Sequence, residues 1–287
     1  MSFTRLASCI KRMGNPTVVG LDPRIEYVPT HIRDAFPGDE AKAILEFNKG
    51  LIDALCDIVP AVKPQSAYYE ALGVNGAAAL AATIDYARGK GMYVIADIKR
   101  GDIGATAEAY AEAYLGENAP YRADCVTVNP YLGIDGVRPF LDLCTKNDKA
   151  IFLLVKTSNP SSGDFQDIDA GGMPLYMRVA QKVLEWGHGL IDGEYSRCGI
   201  VVGATYPPQL SELRKMMSGT FFLVPGYGAQ GAAAADVAGA FCPGAAGVVV
   251  NSSRALMCAW QKQNTADYQQ AARAEALRMR DEIVSVL

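Results

Sequence analysis

The chain has 287 residues, of which 50% are hydrophobic and 20% are charged, and its formal net charge is −4 at pH 7. That length is close to the roughly 250 residues of an eightfold α/β barrel, and the composition excludes a disordered or fibrous chain. No basic cluster stands out, residues 1–15 lack the apolar run of a signal peptide, and no stretch reaches the roughly 18 apolar residues of a membrane span. We therefore expect a cytoplasmic globular protein without a nucleic-acid or membrane partner.

Short runs of β-branched residues alternate with longer Ala- and Leu-rich segments along the chain, which is typical of parallel βαβ units. Eight strands are predicted at Thr17–Leu21, Ala61–Lys63, Tyr93–Lys99, Cys125–Asn129, Ile151–Lys156, Gly199–Ala204, Phe221–Val224 and Gly247–Asn251. Predicted helices include Asp39–Ile58, Asn75–Lys90, Ala105–Leu115, Met173–Trp186, Pro207–Met217 and a broken stretch from about Arg254 to Val286. Eight such units predict that residues 1–287 form a single (β/α)8 TIM barrel.

An open doubly wound sheet is the competing architecture, but no G-x-G-x-x-G turn follows the first predicted strand and no acidic residue is placed to hold a ribose there. The barrel is therefore the favoured prediction. Two long irregular segments, Pro23–Gly38 and Ser158–Gly172, follow predicted strands one and five, at the end where barrel enzymes build their active sites. Plain solvated connections are the alternative for these segments.

Predicted strand three carries charged residues on one of its two faces. Val94, Ala96 and Ile98 are apolar, whereas Asp97 and Lys99 occupy the alternate positions. Because side chains of a strand alternate between faces, these two charged residues point the same way. In a barrel the apolar set faces the helices, so Asp97 and Lys99 are predicted to point inward at the carboxyl end of the strand, where barrel enzymes place their chemistry.

Other predicted strands add polar residues at the same end of the barrel. Asp22 follows strand one, Lys63 lies in strand two, and Thr127 and Asn129 lie in strand four. Ordinary rim ion pairs would explain Asp22 or Lys63 taken singly, because such pairs are common and contribute little. The crowding of charges in Asp97–Asp102 favours a catalytic site instead.

The chain offers little for chemistry based on histidine or on metal-binding cysteine pairs. His31 and His188 are its two histidines, and its seven cysteines are scattered and never spaced as C-x-x-C. A His-rich metal site or a Ser-His-Asp triad is therefore hard to build. Acid–base work is predicted to fall to Asp, Glu and Lys.

A second group of candidate residues follows strands seven and eight. Strand seven runs into Pro225–Gly231, which contains Gly226, Gly228 and Gln230, and strand eight runs toward Arg254. Barrels often bind phosphate here with glycine-loop amides, and a guanidinium matches phosphate geometry. These residues predict a phosphate site. The alternative is that the glycines only turn the chain and Arg254 pairs with a neighbour.

Taken together, these elements resemble the orotidine 5′-phosphate decarboxylase family over essentially the whole chain. The resemblance rests on Gly20-Leu21-Asp22-Pro23, Lys63-Pro64, the segment Asp97-Ile98-Lys99-Arg100-Gly101-Asp102-Ile103, and Pro225-Gly226 to Gln230-Gly231 with Arg254. The Asp-x-Lys-x-x-Asp element is the specific part. Two further segments, Val128–Gly133 and Lys156–Pro160, are similar to a longer bacterial branch of that family.

The resemblance implies decarboxylation of orotidine 5′-phosphate to UMP in de novo pyrimidine synthesis, with no metal or organic cofactor. Lys99 would stabilise and then protonate the C6 carbanion, and Asp97 would lie beside the departing carboxylate. The carbanion has no adjacent carbonyl or cofactor to absorb its charge, so a fixed ammonium is the available stabiliser. Flanking carboxylates would keep Lys99 protonated.

The resemblance also implies how the substrate is held. Lys63 and Asp22 would bind the ribose hydroxyls, and Ser158 would hydrogen-bond the pyrimidine ring. Gln230 and Arg254 would bind the 5′-phosphate, beside the amides of the glycine loop. The chain enters an alanine run directly after Gly231, so the loop that covers the phosphate in some relatives is short here, and Ser158–Gly172 is an alternative lid.

A homodimer with shared sites is the implied assembly. Asp102 and Thr106 would reach into the neighbouring subunit's site. An array of alternating charge, Lys63–Asp97–Lys99–Asp102, would follow.

Three other functions are open to a barrel of this kind. A sugar-phosphate decarboxylase or aldolase would use Asp-x-Lys-x-x-Asp with a divalent metal. A Schiff-base aldolase would use Lys63 or Lys99 as a neutral amine, which adjacent carboxylates oppose. A non-catalytic barrel would bind a phosphorylated nucleotide as a sensor. The elements at Asp22, Lys63 and Pro225–Gln230 fit the decarboxylase better than the sugar-phosphate enzymes. The intact Asp97, Lys99 and Asp102 disfavour the sensor.

Overall fold

Eight parallel strands form a closed barrel in the computed structural model, which describes residues 2–228, 231–241 and 247–287. Each strand pairs with its neighbour in the sequence, and the last pairs with the first. The strands are β1 Thr17–Leu21, β2 Ala61–Pro64, β3 Tyr93–Arg100, β4 Cys125–Val128, β5 Ala150–Lys156, β6 Cys198–Val202, β7 Phe222–Val224 and β8 Val248–Ser252. The predicted (β/α)8 fold class is confirmed, and every predicted strand boundary lies within about two residues of the observed one.

Helices cover the outside of the barrel and follow most of its strands. They are α1 Ser2–Met13, α2 Thr30–Ala35, α3 Glu40–Leu55, α4 Ser66–Glu70, α5 Gly73–Gly89, α6 Gly104–Leu115, α7 Ile134–Lys146, α8 Gly163–Gln166, α9 Leu175–Trp186, α10 Pro207–Met216, α11 Ala234–Ala238, α12 Arg254–Met257, α13 Ala259–Lys262 and α14 Tyr268–Val284. The predicted C-terminal helix is indeed broken, into α12, α13 and α14. In the described part of the chain no helix is long and apolar enough to cross a membrane.

Helix α1 was absent from the predicted set, and it closes the amino-terminal end of the barrel. Its residues Phe3, Leu6 and Ile10 are buried together with the inward-facing side chains of the strands. The Phe3 ring lies 4.9 Å from that of Phe152 and 4.8 Å from that of Phe221, measured between centroids. With this end plugged by aromatic packing, the carboxyl end of the strands is left as the mouth.

The two faces of strand β3 belong to different layers, as predicted. Val94, Ala96 and Ile98 pack in the large cluster between barrel and helices, whereas Tyr93 and Ile95 belong to the cluster inside the barrel. Because side chains alternate along a strand, the inward face that contains Tyr93 and Ile95 continues at Asp97, near the mouth.

The two segments predicted as irregular both contain short helical elements. Pro23–Gly38 holds a 3-10 turn at Ile25–Tyr27 followed by α2, and Ser158–Gly172 holds a 3-10 turn at Pro160–Ser162 followed by α8. The sequence pattern does not predict these turns, because each is too short to show a repeating apolar pattern. Both segments lie at the mouth.

Candidate active site

Charged side chains from three neighbouring strands meet inside the mouth. Asp22 follows β1, Lys63 belongs to β2, and Asp97 and Lys99 belong to β3. Strand β2 lies between β1 and β3, so these inward positions are adjacent. Lys63 and Asp97 are 4% and 5% exposed, so the cluster begins within the barrel and not on its rim.

Asp97 is the centre of this cluster, which we call the charge cluster (Asp22, Lys63, Asp97 and Lys99). Lys63 Nζ donates to Asp97 Oδ2 at 2.7 Å, and Lys99 Nζ donates to Asp97 Oδ1 at 2.6 Å. Lys63 Nζ also lies 3.7 Å from Asp22 Oδ1. The result is a continuous row of alternating charge. Within it, Lys63, Asp97 and Lys99 lie in the order that was predicted for them.

Thr127 of β4 fixes both Asp97 and the backbone beside it. Its hydroxyl donates to Asp97 Oδ1 at 2.8 Å and accepts from the Lys99 amide at 2.9 Å. Asn129, predicted to join the same mouth, instead accepts from the Tyr131 amide at 3.0 Å and caps the 3-10 turn Pro130–Leu132. The strand has ended by then, so its side chain no longer follows the period of two.

The backbone of Lys99 is strained. Its φ of 46° is in the left-handed region, which costs a residue other than glycine about 1–2 kcal/mol. In the described part of the chain Asp148 and Asn264 share this conformation, and their short polar side chains tolerate it better. The β3–β4 register also shifts between Ala96 and Arg100. This local distortion leaves the Lys99 side chain 44% exposed above a buried carboxylate.

Opposite charges keep the buried members of the charge cluster ionised. Burial would raise the pKa of Asp97, but Lys63 and Lys99 outweigh that effect and hold the pKa well below its usual range. Burial would lower the pKa of Lys63, but Asp22 and Asp97 outweigh it and raise the pKa above its usual range. At neutral pH Asp97 is therefore a carboxylate and Lys63 an ammonium.

The change Asp97→Asn should reduce the free energy of unfolding by about 3–5 kcal/mol at pH 7, because it leaves the buried Lys63 ammonium poorly paired. The folded-state pKa of Asp97 is depressed, so its contribution is fully present above the unfolded value of about 3.9 and is lost as the pH falls through the folded-state pKa. Because the folded-state pKa of Lys63 is raised, the contribution of its ammonium to the free energy of unfolding is fully present up to about pH 10.

Urea unfolding of wild type and Asp97→Asn between pH 8 and pH 3 measures this dependence. The difference should be constant from pH 8 to about pH 5 and should shrink toward pH 3. The exposed Asp142 of α7 offers a matched control, since Asp142→Asn should change the free energy of unfolding by about 1 kcal/mol or less. A difference between wild type and Asp97→Asn that grows on acidification would contradict the ionisation state assigned to Asp97.

Asp102 and Thr106 do not join the charge cluster of their own chain among the residues described. Asp102 Oδ1 accepts from the Ile103 amide at 2.9 Å, and Thr106 is exposed in the first turn of α6. Among the described residues, Asp102 therefore does not contact the other three members of the predicted array within one chain. Their place in a neighbour's site stays a prediction.

Gly226 and Gly228, which follow β7, adopt backbone conformations that other residues rarely take. Gly226 and Gly228 have φ values of 103° and 72°, and the Gly228 amide donates to the Ala232 carbonyl at 2.9 Å. That N–H group is thus occupied in this conformation, and the predicted phosphate site stays a prediction. Gln230 lies outside the described residues.

Arg254 is exposed at the first residue of α12, directly beyond β8. The loop before it lies against β1, because a Cβ atom at Gly20 would come within 1.8 Å of Ser253 Oγ. Glycine is therefore needed in β1 for this close approach. The approach brings the Arg254 segment beside the Asp22 end of β1.

Ser158 lies half-buried just beyond β5, on the other side of the mouth. Its carbonyl accepts from Thr205 Oγ1 at 3.4 Å, and a Cβ atom at Gly203 would come within 2.7 Å of its Cα. The predicted ring-binding serine is thus packed against the end of β6. It is held by backbone contacts, which leaves its hydroxyl for other partners.

One buried charge at the mouth is not among the residues for which a role is predicted from the sequence. Lys156, at the end of β5, has a fully buried side chain that ion-pairs with Asp167. The signal in the sequence is a lysine at the end of an apolar strand, which is the same signal that predicted an inward-facing Lys63. Among the described residues, no group of three or more His, Cys, Asp or Glu side chains is arranged to hold a metal ion.

A closed (β/α)8 barrel with alternating lysines and aspartates in its mouth is typical of enzymes of the barrel class, which place their active sites at this end. The chain belongs to the orotidine 5′-phosphate decarboxylase / HUMPS family, whose model matches residues 17–268.

Relatives and solved structures agree with this membership. The chain is 43% identical over 299 residues to an orotidine 5′-phosphate decarboxylase of Rhodopirellula baltica, covering 99% of both chains. It is 41% identical over 291 residues to one of Clostridium acetobutylicum, covering 100% of both. The structure of Leishmania donovani OMP decarboxylase matches with a TM-score of 0.76 and 32% identity, covering 98% of this chain and 99% of that one.

Proposed function

We propose that this protein decarboxylates orotidine 5′-phosphate to UMP, in pyrimidine nucleotide synthesis, without a metal or organic cofactor. The observation that carries the proposal is the row Asp22–Lys63–Asp97–Lys99, which fixes one partly exposed ammonium over a buried carboxylate. Full-length relatives at 41–43% identity bear the name of this activity.

The geometry suits a reaction whose difficulty is a localised negative charge. When the bond between C6 and the carboxylate breaks, carbon dioxide leaves and the electron pair remains on C6. The Lys99 ammonium, aligned by Asp97 at 2.6 Å, would stabilise this charge and then transfer one proton from Nζ to C6. Lys99 would regain its proton from solvent after UMP leaves.

Fixing the ammonium in advance is what makes it effective. Lys63 and Thr127 hold both oxygens of Asp97, and Asp97 with the strained backbone holds Lys99. Little reorganisation is then needed as charge develops, which is the main source of electrostatic catalysis. The network is buried on its inner side, where hydrogen bonds to charged groups are stronger than in water.

Groups around the mouth would hold the rest of the substrate. Lys63 and Asp22 would bind the ribose hydroxyls, and Ser158 the pyrimidine ring. Arg254, with Gln230, would bind the 5′-phosphate from the β8 side. Binding energy from the phosphate, remote from C6, would then help to organise the site around the reacting bond.

The proposed working unit is a homodimer in which Asp102 and Thr106 complete the partner's site. Beside Asp102 lie three large apolar side chains with high exposure, Tyr131 at 80%, Ile103 at 55% and Leu132 at 45%. The two loops that carry them abut, because a Cβ atom at Gly136 would come within 2.8 Å of the Asp102 carbonyl and 3.5 Å of Leu132 Cβ. Exposed apolar residues of this size mark interaction surfaces.

The test is loss of the orotate-ring ultraviolet absorbance when the purified protein meets orotidine 5′-phosphate in the presence of a chelator. Rapid loss with stoichiometric UMP is the expected result, and added divalent ions should not accelerate it. Turnover that requires a divalent ion, or no turnover, would overturn the proposal and favour a sugar-phosphate activity.

A further inference from the structure

Lys156 carries a buried positive charge that the proposed mechanism does not use. Its side chain has no exposed surface, yet the ammonium contacts none of the charge cluster among the described residues. The β5–β6 register shifts between Leu154 and Lys156, so the strand is distorted at its last residues. The side chain reaches Tyr176 of α9 and Tyr206 before α10.

The partners of Lys156 belong mainly to the segment that follows β5. Residues 157–174 form this segment, which we call the β5 loop. Lys156 Nζ donates to Asp167 Oδ1 at 2.7 Å and to Ser162 Oγ at 3.2 Å, and it lies 4.4 Å from the ring centroid of Tyr206. The Tyr206 hydroxyl in turn lies 3.0 Å from Ser162 Oγ. One ammonium thus ties two points of the β5 loop to the barrel.

The β5 loop has little apolar burial of its own to hold it. Phe165 and Ile168 are exposed at 65% and 51%. Ordering a long loop costs conformational entropy, which hydrophobic contacts usually offset. Here polar contacts replace them, including the mutual hydrogen bonds of Thr157 and Gln166 at 2.8 and 2.9 Å.

A buried ammonium is an expensive way to fill space. Its desolvation costs several kcal/mol, and an apolar side chain of similar volume would often give equal or greater stability. A charge kept at such a position is better explained by the specific arrangement it enforces than by stability. The arrangement enforced here is that of the β5 loop, and Ser158 is two residues from Lys156.

We propose that Lys156 is a positioning residue of the active site, which through Asp167 and Ser162 holds the β5 loop where Ser158 can meet the pyrimidine ring. This inference rests on the proposed function for the role of Ser158. The anchoring of the β5 loop itself does not depend on the substrate.

The principal test is Asp167→Asn, because Asp167 is 48% exposed and its replacement should leave folding intact. We expect kcat/KM for orotidine 5′-phosphate to fall about 10- to 100-fold, since a misplacement of about 1 Å in a site has effects of this size. The melting temperature should fall by several degrees while the fold is retained, because the buried Lys156 ammonium loses its charged partner. Hydrogen–deuterium exchange should accelerate in peptides from 157–174.

Asp148→Asn is the matched control. Asp148 is 52% exposed and pairs with Arg197 at 2.9 Å, at the opposite end of β5. The same chemical change there should leave kcat/KM within about twofold of wild type and should not alter exchange in the β5 loop.

Lys156→Met gives a second, independent measurement. It should reduce kcat/KM as Asp167→Asn does, and the double variant should be no worse than Lys156→Met alone, because one interaction is removed in each case. If Lys156→Met does not fold, Asp167→Asn with its control decides.

The outcomes separate the two proposals. Wild type that does not convert orotidine 5′-phosphate overturns the proposed function and, with it, the role of Ser158. An active wild type with unchanged exchange and unchanged kcat/KM in Asp167→Asn overturns the positioning role alone. Faster exchange in the β5 loop without loss of kcat/KM also overturns that role, because the loop would then be anchored without effect on catalysis.

Discussion

Replacing Lys99 with alanine is expected to lower kcat by about 10⁴- to 10⁷-fold, the product of the usual contributions of a general acid and of a pre-aligned stabilising charge. The variant should still fold. Lys99 is 44% exposed, and alanine at its φ of 46° carries the same backbone strain. Steady-state decay of the orotate-ring absorbance measures the loss, and circular dichroism checks the fold.

Lys182→Ala is the control for this prediction. Lys182 is an exposed lysine of α9 that pairs with Glu185 at 2.7 Å, far from any inward-facing position. Its removal should leave kcat unchanged, because an exposed pair of this kind contributes little. If Lys99→Ala kept more than about a tenth of wild-type kcat, the ammonium could not be the group that stabilises and protonates C6.

The inward face of β3 could be predicted from the sequence because it depends on one rule only. Side chains alternate along a strand, so the apolar set Val94, Ala96 and Ile98 placed Asp97 on the other face. Since consecutive strands of a barrel are neighbours, Lys63 in β2 could then be placed beside it. The pair at 2.7 Å confirms this placement.

The alternation of side chains does not predict the structure where the strands become irregular. The left-handed backbone of Lys99 and the register shift beyond Ala96 come from contacts with β4, which no local pattern encodes. At the end of β5 a second register shift accompanies the burial of Lys156 among partners from the β5 loop and from the segment before α10. In both places tertiary contacts decide the direction of a lysine.

Helix α1 shows a different limit. Phe3, Leu6 and Ile10 lie at helical spacing, but twelve residues give few repeats, and such a helix is stable mainly through what it packs against. Its target, the aromatic floor formed by Phe152 and Phe221, exists only once the barrel has closed. The sequence can show that α1 is amphipathic, but it cannot show which surface of the barrel α1 packs against.

Mixing two inactive variants should restore activity if the sites are shared. Lys99→Ala removes the acid from a chain's own site, whereas Asp102→Asn removes the group that this chain would lend to its partner. In a mixed dimer one site receives both changes and the other receives neither. With random pairing of equal amounts, activity should rise to about a quarter of the wild-type value per chain, because a twofold-symmetric dimer has two equivalent sites.

A mixture of Lys99→Ala and Asp97→Asn supplies the control, because both residues belong to the same chain's charge cluster. Each site of that mixed dimer keeps one defect, so no activity should return. Recovery in the first mixture and not in the second requires that Asp102 act across an interface, as its lack of contact with its own charge cluster among the described residues suggests. If neither mixture recovered while mixed dimers were shown to form, Asp102 would have to act within its own chain. The β3–α6 segment would then have to rearrange when substrate binds.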